Sequence, residues 1–352
     1  MRGGRSRLIA MLIDGIHIPL MMPFTRDGEM YLRKLEYNVG RYSLTPAAGL
    51  VALTAEGAAL SDDEVRDALR VIGVAASPEK VLVAAIAKDS VRGALAIAEQ
   101  AAAAGFDAVL LAAPPARLPG NELMLYFRAV ADASPLPVML SSEQEYTLSV
   151  DVIAELARHR NVIGIYDEGL TVERYRAIVA ATQGVKREVT VTTVFAPVTR
   201  RMVAAGETDA ASFVTAESLA GGKAVAMVAT APALKTRTKM VGFQVMAAGS
   251  ARGVVELLEA GVAGAMPAMS ACAPQGVYEA YAAFKDGDPA LAAEKGQRLV
   301  EADAAIRELG IAGVKYGCDL NGYYGGAPRL PRLALDGEGR AGVEGVLVGI
   351  RN

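Results

Sequence analysis

The sequence predicts a closed (β/α)8 barrel followed by a C-terminal helical extension, and three observations support this fold class. Short runs of mostly apolar residues recur along the chain, as expected for parallel strands that are covered on both faces. Amphipathic helical segments separate these runs, which favours a parallel sheet with right-handed crossovers. About eight such units precede residue 270, and no glycine-rich phosphate loop follows a strand, so a closed barrel is favoured over an open sheet.

Nine apolar runs are candidates for the barrel strands. In chain order they occupy residues 16–23, 48–54, 81–87, 107–113, 136–141, 161–166, 188–195, 240–247 and 261–268. The first six runs predict strands one to six, and the last predicts strand eight. The runs at 188–195 and 240–247 compete for strand seven, and the sequence does not decide between them. Residues of about 196–238 predict a surface insertion between strands six and seven, more typical of an elaborated loop than of a lid or assembly element.

The helices between the strands carry recognisable start and stop signals. Ser61 and Glu64 have the spacing of a capping box ahead of an apolar-periodic stretch. Ser250 is predicted to begin a later helix that ends at Gly261. Helical patterns then continue beyond the last strand. We therefore divide the chain into an N-terminal tail (1–14), the barrel (15–272) and the helical extension (273–352).

Composition limits the classes of function. With 352 residues, 52% hydrophobic and 21% charged, the chain has the composition of a globular protein. A net charge of -3 without a basic cluster argues against a nucleic-acid or anionic-membrane partner, and no apolar run reaches membrane-spanning length. Cys272 and Cys318 lack metal-site spacing and fit the cytoplasm. The two histidines, His17 and His159, are far apart, so we expect neither a metal nor another cofactor.

Several stretches resemble one enzyme family. These are GIHIPLMMPFTRDGEM, GLVALTAEGAALSDDE, NVIGIYDEG and LLEAGVAGAMPAMSACAPQ, which are similar to parts of dihydrodipicolinate synthases and N-acetylneuraminate lyases. The resemblance runs from about Gly15 to Leu333, apart from the insertion. It implies a TIM barrel, a homo-oligomer (dimer or tetramer), and a Schiff base between a lysine ending strand six and a 2-oxo acid such as pyruvate.

The residues that carry this chemistry in the family differ here. Tyr166 stands at the position of the lysine, and Ser141 at that of a proton-relaying tyrosine ending strand five. Leu53 replaces the first threonine of the family's Gly-Thr-Thr-Gly-Glu motif, and Ala116 lies where a neighbouring subunit would lend a tyrosine. The strand-five loop contains no arginine to bind a substrate carboxylate. A phenol cannot form an imine, so the family's chemistry is predicted to be lost.

The strand ends should still form a cup at the barrel mouth. The candidate catalytic residues are Tyr166, Lys88, Ser141 and Thr54, and the candidate ligand-binding residues are Glu56, Ser142, Asp167 and Ser270. Thr192 is also expected to line the cup. Lys88 has two interpretations: a relocated Schiff-base lysine with Tyr166 as its proton partner, or, as we favour, a solvated rim lysine that neutralises Asp89 or Glu56. Asp167, Glu168 and Glu143 could bind a cation, but acids beside a helix start more often face its dipole.

Three functional hypotheses follow. The favoured one is a dihydrodipicolinate synthase-like barrel that binds a small ligand, possibly a 2-oxo acid, or performs altered chemistry at its mouth. The second is an active lyase that acts on a 2-oxo acid through Lys88. The third is a non-catalytic assembly or regulatory paralogue. The surroundings of the Tyr166 hydroxyl should distinguish among them, because a plugged cup and a Lys88–Tyr166 pair predict different contacts.

Overall fold

The computed structural model describes residues 11–208 and 234–350. Ten strands occur in these residues, and we number them in chain order: β1 (Gly15–Pro19), β2 (Gly49–Ala52), β3 (Val81–Ile86), β4 (Ala108–Leu111), β5 (Val138–Ser142), β6 (Val162–Asp167), β7 (Arg187–Thr192), β8 (Thr236–Val241), β9 (Gln244–Gly249) and β10 (Gly264–Pro267). Eight of them form a closed parallel barrel in the order β1-β10-β9-β6-β5-β4-β3-β2. The predicted (β/α)8 barrel is therefore confirmed.

Helices cover the outside of the barrel and continue beyond it. Those associated with the barrel and the inserted segment are α1 (Leu32–Ser43), α2 (Asp62–Ala75), α3 (Val91–Ala103), α4 (Gly120–Ala133), α5 (Val150–Ala157), α6 (Val172–Thr182), α7 (Arg200–Thr208) and α8 (Val254–Ala260). The predicted C-terminal extension is present as α9 (Pro274–Lys285), α10 (Pro289–Glu308), α11 (Gly310–Leu320) and α12 (Gly337–Val346). In the described part of the chain, no helix is both long enough and apolar enough to cross a membrane.

Strand pairing decides which run supplies the seventh barrel strand. In β6, Gly164 pairs with Gln244 of β9, and β9 pairs in turn with β10. The seventh barrel strand thus lies in the 240–247 run and continues to Gly249. The 188–195 run leaves the barrel and pairs antiparallel with β8 in a separate two-stranded sheet. The inserted unit therefore begins before residue 196, because both strands of this sheet belong to it.

The inserted unit lies at the amino-terminal end of the barrel. The Arg187 guanidinium (Nη2) donates to the carbonyl of Ala157, 2.8 Å away, which precedes β6. The backbone N–H of Arg200 donates to Asp107 Oδ1 at 2.7 Å, just before β4. Leu12, which precedes β1, packs against the apolar side of β7 and β8. Because all these partners precede their strands, the unit covers the end opposite the expected mouth.

This placement corrects one candidate site residue. Thr192, expected to line the cup, is the last residue of β7 and belongs to the sheet of the inserted unit. The error arose because both candidate runs have the apolar character of a strand, and only long-range pairing separates a barrel strand from an added one.

Helix starts follow the sequence signals at one site and depart from them at another. The capping box at α2 is confirmed, since Ser61 Oγ accepts from the Glu64 N–H at 3.3 Å and Glu64 Oε2 accepts from the Ser61 N–H at 2.9 Å. Ser250 does not begin a helix. Its hydroxyl donates to Asp303 Oδ2 at 2.9 Å, and α8 starts only at Val254, after Gly253 adopts φ of 72°. A tertiary hydrogen bond to α10 therefore outcompetes the local cap.

The barrel interior is a packed apolar core. Inward-facing strand residues join two residues that precede β1, and the cluster consists of Met11, Ile13, Val51, Val81, Val83, Ala108, Leu110, Met139, Ile163, Tyr166, Met246, Ala248 and Met266. Residues 11–14, assigned to a tail from the sequence, thus reach the amino-terminal end of this core. A second cluster joins the outer faces of the strands to the helices. The barrel is filled by side chains, as is usual for this architecture.

Candidate functional site

The predicted site residues, apart from Thr192, lie at or just after the carboxyl-terminal ends of barrel strands. Tyr166 and Asp167 end β6, and they pair in register with Ser141 and Ser142, which end β5. The other candidates lie in segments that follow β2, β3 and β10, and they are Thr54, Glu56, Lys88 and Ser270. The fold therefore brings them to one end of the barrel, although their individual contacts differ greatly.

The Tyr166 side chain reaches into the barrel and contacts a histidine. Its hydroxyl oxygen lies 2.7 Å from Nδ1 of His17 in β1, and both residues are fully buried. The other ring nitrogen of His17, Nε2, lies 3.2 Å from the carbonyl oxygen of Asp14. A carbonyl can only accept, so Nε2 carries the proton and Nδ1 accepts. The Tyr166 hydroxyl therefore donates its proton towards the barrel interior.

Burial keeps both members of this pair uncharged. Desolvation raises the pKa of the Tyr166 phenol far above its usual value, because the phenolate would be buried without a cation. Desolvation also lowers the pKa of His17 to about 4, an effect that the hydrogen bond to the Asp14 carbonyl only partly offsets. At neutral pH the pair is a phenol that donates to a neutral imidazole, and no charged base activates it.

The neighbouring strand makes room for this pair. Gly49 of β2 is the register partner of His17, and a Cβ atom on Gly49 would lie 2.6 Å from the imidazole Cε1. Any larger residue at position 49 would displace the histidine ring. His17 is not among the site residues predicted from the sequence. The only signal in the sequence is an isolated histidine in an apolar strand. Its partner, Tyr166, is 149 positions away, so no local spacing connects the two residues.

Lys88 does not contact Tyr166. Its Nζ atom lies 3.1 Å from Asp62 Oδ1 at the start of α2, and 36% of its side chain is exposed. The sequence predicted Asp89 or Glu56 as the neutralising acid. The Asp89 carboxylate instead accepts from the Ala116 N–H at 2.8 Å. Lys88 is thus a rim lysine, as in the favoured interpretation, but its partner is Asp62, the first residue of the preceding helix α2.

Glu56 is occupied by a buried ion pair with the C-terminal extension. The Lys315 ammonium of α11 lies 3.1 and 3.0 Å from the two carboxylate oxygens and donates to the Met22 carbonyl at 2.5 Å. Neither side chain is more than 3% exposed. Desolvation lowers the pKa of Lys315, and the charge of Glu56 opposes this shift. The pair joins the loops that follow β1 and β2 to α11, a role that the sequence did not reveal.

An arginine does reach the loop after β5, but it comes from α6. Arg174 Nε and Nη2 donate to Asp167 Oδ2 at 2.9 and 2.7 Å, and Nη2 also donates to the Leu148 carbonyl at 2.7 Å. Ser142 Oγ lies 3.3 Å from the same nitrogen. Asp167 and Ser142, predicted to bind ligand, are therefore parts of a structural network. The guanidinium charge is already balanced by a buried carboxylate.

The most available polar groups at the mouth are on β5 and its loop. Ser141 is partly exposed, and it hydrogen-bonds the Glu143 carboxylate. Burial and the nearby Glu168 and Glu145 raise the pKa of Glu143, so this carboxyl holds its proton to higher pH than usual. Ser141 and Glu143 together offer donors and acceptors without a cation. Among the described residues, no group of three or more His, Cys, Asp or Glu side chains has a metal-binding arrangement.

Two further features mark the loop after β2. Leu53 has φ of 61°, a left-handed conformation that is rare for a branched residue and commonly found at functional positions. The next residue, Thr54, has a buried hydroxyl with no hydrogen-bond partner among the described residues. An unpaired buried hydroxyl at a strand end is a candidate ligand contact. Ser270 is different, since its hydroxyl is close to the His17 and Pro267 carbonyls, at 2.9 and 2.7 Å.

The family of the chain is now clear. Residues 12–231 match the family described as the dihydrodipicolinate synthetase family. This chain belongs to that family. The match covers the barrel from its first strand through the sixth, so it includes the strand end at which Tyr166 stands in place of the expected lysine.

Curated relatives match over shorter stretches. A 4-hydroxy-tetrahydrodipicolinate synthase of Methanosarcina mazei is 32% identical over 161 residues, which is 44% of this chain and 54% of that protein. An L-threo-3-deoxy-hexylosonate aldolase of Hypocrea jecorina is 31% identical over 167 residues, 43% of this chain and 52% of that protein. This chain thus spans about half the length of the curated relatives it matches, and these relatives differ in reaction.

Solved structures share the fold over almost the whole chain. The chloride-inhibited dihydrodipicolinate synthase of Acinetobacter baumannii, complexed with pyruvate, has a TM-score of 0.74 at 20% identity, covering 96% of this chain and 99% of that one. The 4-hydroxy-tetrahydrodipicolinate synthase of Methylacidiphilum fumariolicum has a TM-score of 0.73 at 19% identity, covering 96% of each chain. At these identities the similarity shows the fold.

Proposed function

We propose that this protein binds a small molecule reversibly at the carboxyl-terminal mouth of its barrel and has lost imine chemistry. One observation carries the proposal. At the position of the expected lysine, Tyr166 donates a hydrogen bond to His17 inside the barrel, with 2.7 Å between the hydroxyl oxygen and Nδ1. A neutral phenol directed away from the mouth is neither an amine nucleophile nor an activated base for a bound substrate.

The nearby cations support the same conclusion. Lys315 is buried against Glu56, and Arg174 is bound to Asp167. An imine-forming lysine must reach the substrate, whereas the bonds to Glu56 and to the Met22 carbonyl hold the Lys315 amine in place. Lys88 is exposed at the rim, beside Asp62. The lyase alternative through Lys88 therefore requires that lysine to leave its partner and enter a drier environment.

The polar groups that remain favour an uncharged ligand. Ser141 and Thr54 can donate and accept hydrogen bonds, whereas Glu143 and Glu168 make the rim acidic. A 2-oxo acid would bring its own carboxylate to this acidic rim, and each nearby cation is already partnered. We therefore propose a small carbonyl or hydroxyl compound without a net charge, and the 2-oxo acid is the competing ligand class.

A matched pair of probes tests this proposal. Pyruvate and its neutral amide, pyruvamide, differ mainly in charge and can be titrated into the full chain with ligand-detected NMR. We expect reversible binding of pyruvamide, weaker binding of pyruvate, and loss of both in Ser141→Leu, which fills the mouth. Ser141→Ala should weaken binding without abolishing it. Tighter binding of pyruvate would instead support the 2-oxo acid, and no binding of either probe would contradict a ligand at this mouth.

We also propose that the protein forms a homo-oligomer and resides in a reducing compartment. The family resemblance supports a homo-oligomer, a dimer or tetramer, which light scattering coupled to size-exclusion chromatography would measure. A monomer at micromolar concentration would contradict it. The two free, buried cysteines support a reducing compartment such as the cytoplasm. A purely regulatory role, as a partner of an active paralogue, would be supported if the oligomer formed with a catalytic family member but bound neither probe.

A further inference from the structure

A second cavity lies outside the barrel, between the loop that follows β1 and the C-terminal extension. Its volume is about 390 Å³, within the range of roughly 300–1,000 Å³ that small-ligand sites occupy. Three aromatic side chains contribute to its walls: Phe24, Tyr316 and Tyr324. Ala312 of α11 and Leu335 add apolar surface. The cavity therefore offers flat, apolar walls of the kind that hold a planar molecule.

Two arginines line the same cavity. These are Arg26, from the loop after β1, and Arg340, from α12. Within residues 11–208 and 234–350, neither guanidinium forms an ion pair with a carboxylate. Asp319 also lines the cavity, but its Oδ1 atom accepts from the N–H groups of Gly325 and Gly326 at 2.8 and 3.3 Å. The lining thus has two cations without carboxylate partners and one acid that holds a turn.

We propose that this cavity is a second ligand site, which takes a small carboxylate with a planar, apolar body. The aromatic walls would contact the planar body. The guanidinium groups of Arg26 and Arg340 would receive the carboxylate, since their planar array of N–H donors matches carboxylate geometry. The site is separate from the barrel mouth and favours an anion where the mouth favours an uncharged compound, so it does not depend on the ligand proposed there.

Packing of the extension against the barrel explains only part of this lining. Two cations contact the Phe24 ring, with Lys315 Nζ 4.9 Å and the Arg329 guanidinium carbon 4.4 Å from its centroid, and these contacts account for its position. Arg340 lies 5.7 Å from the centroid of Tyr316, and this exposed contact leaves the guanidinium hydrogen-bond donors available. Aromatic packing therefore accounts for the walls but not for two arginines without carboxylate partners.

Benzoate and its neutral amide, benzamide, are the probes for this site. Isothermal titration of the full chain should show benzoate binding in the millimolar range or tighter, as expected for a fragment-sized ligand. Benzamide should bind about tenfold more weakly, because it lacks the charge that the arginines receive. Arg340→Gln should remove this preference for benzoate, and Ala312→Leu should abolish binding of both compounds by filling the cavity.

Arg92→Gln is the matched control, because Arg92 is an exposed arginine on α3 that lines a different surface depression. This variant should bind benzoate as the unmodified chain does. Circular dichroism of each variant would separate loss of folding from loss of the site, and Arg26→Gln provides a second charge-removing variant if Arg340→Gln is unstable. No benzoate binding up to about 10 mM, or equal binding in Arg340→Gln, Ala312→Leu and Arg92→Gln, would overturn the proposal.

Discussion

The two ends of the barrel are built in different ways. At the amino-terminal end, Met11 and Ile13 fill the interior and the inserted unit covers the strands, with several hydrogen bonds to backbone groups that precede them. At the carboxyl-terminal end, charged side chains form ion pairs, a hydroxyl lacks a partner at Thr54, and Leu53 adopts a left-handed conformation. The added structure of this chain therefore covers the end that is remote from the expected site.

This difference agrees with a division of roles between the two ends of the barrel, one for stability and one for function. In barrel enzymes the amino-terminal end serves stability and the carboxyl-terminal end carries chemistry. Here the inserted unit adds structure to the amino-terminal end. The carboxyl-terminal end keeps its polar residues, but nearly all of its strong cations are paired with carboxylates. Some positions that carry chemistry in the family are filled here by residues with satisfied contacts. Tyr166, which contacts His17, is the clearest case.

The largest effect should come from breaking the buried pair at the mouth. Lys315→Met leaves the Glu56 carboxylate buried without its partner, so we expect a loss of about 3–5 kcal/mol in the free energy of unfolding, measured by urea denaturation. The double variant Lys315→Met, Glu56→Gln should recover much of this loss, since no charge is then left unpaired. A loss below about 1 kcal/mol in the single variant would show that the pair is solvated.

The next effect concerns the pH dependence that His17 confers. Its folded pKa is about 4, below the ordinary 6.5, so the unfolded state takes up a proton first as pH falls. The contribution of His17 to the free energy of unfolding is fully present above about pH 6.5. It is lost as the pH falls towards 4, and the total loss is about 3 kcal/mol. Urea denaturation at pH 7 and pH 4.5 should show this slope, and His17→Gln should flatten it.

Comparing the unmodified protein with His17→Gln cancels the contributions of the other titrating groups to the pH dependence of stability. Asp14 lies beside His17, and burial raises its pKa, which acts in the opposite direction as pH falls. Because Asp14 is present in both proteins, the difference between their slopes isolates His17. An identical slope in both would mean that the imidazole is accessible to protons in the folded state.

A smaller effect is expected at the amino-terminal end. The Asp107 carboxylate accepts from the Leu82 N–H at 2.9 Å and the Arg200 N–H at 2.7 Å, one on each oxygen. Asp107→Asn leaves one of these buried N–H groups without an acceptor, and we expect a loss of about 1–3 kcal/mol in the free energy of unfolding. Binding of the mouth probes should not change. Altered binding in this variant would show that the two ends are coupled.

The fold was largely predictable because its signals are local. Apolar runs, helix periodicity and the Ser61 capping box each depend on a few neighbouring residues, and all of these were confirmed. The identity of strand seven was not predictable, because both candidate runs satisfy the same pattern and only pairing with β6 separates them. Ser250 failed as a helix start for a similar reason, since its partner Asp303 lies on a distant helix.

The candidate site was predictable in position but not in its contacts. The apolar run at 161–166 predicts Tyr166 at a strand end, and the resemblance implies that the family has its lysine at this position. Its partner His17 is 149 residues away, and Lys315 is 259 residues from Glu56, so no local spacing connects them. Arg174 was missed because it enters from α6, although the resemblance directed attention to the loop after β5. The sequence pattern does not show which side chains that are distant along the chain contact each other.

The proposed function requires that no amine at the barrel mouth forms an imine with a 2-oxo acid. The most direct measurement is incubation of the full chain with pyruvate and borohydride, followed by intact mass and peptide mapping, with an active family synthase treated in parallel. We expect that the mass of this protein stays unchanged while the synthase gains a covalent adduct. A stoichiometric adduct that maps to Lys88 would show that this lysine forms an imine, which would contradict the proposed loss of imine chemistry and support the lyase alternative.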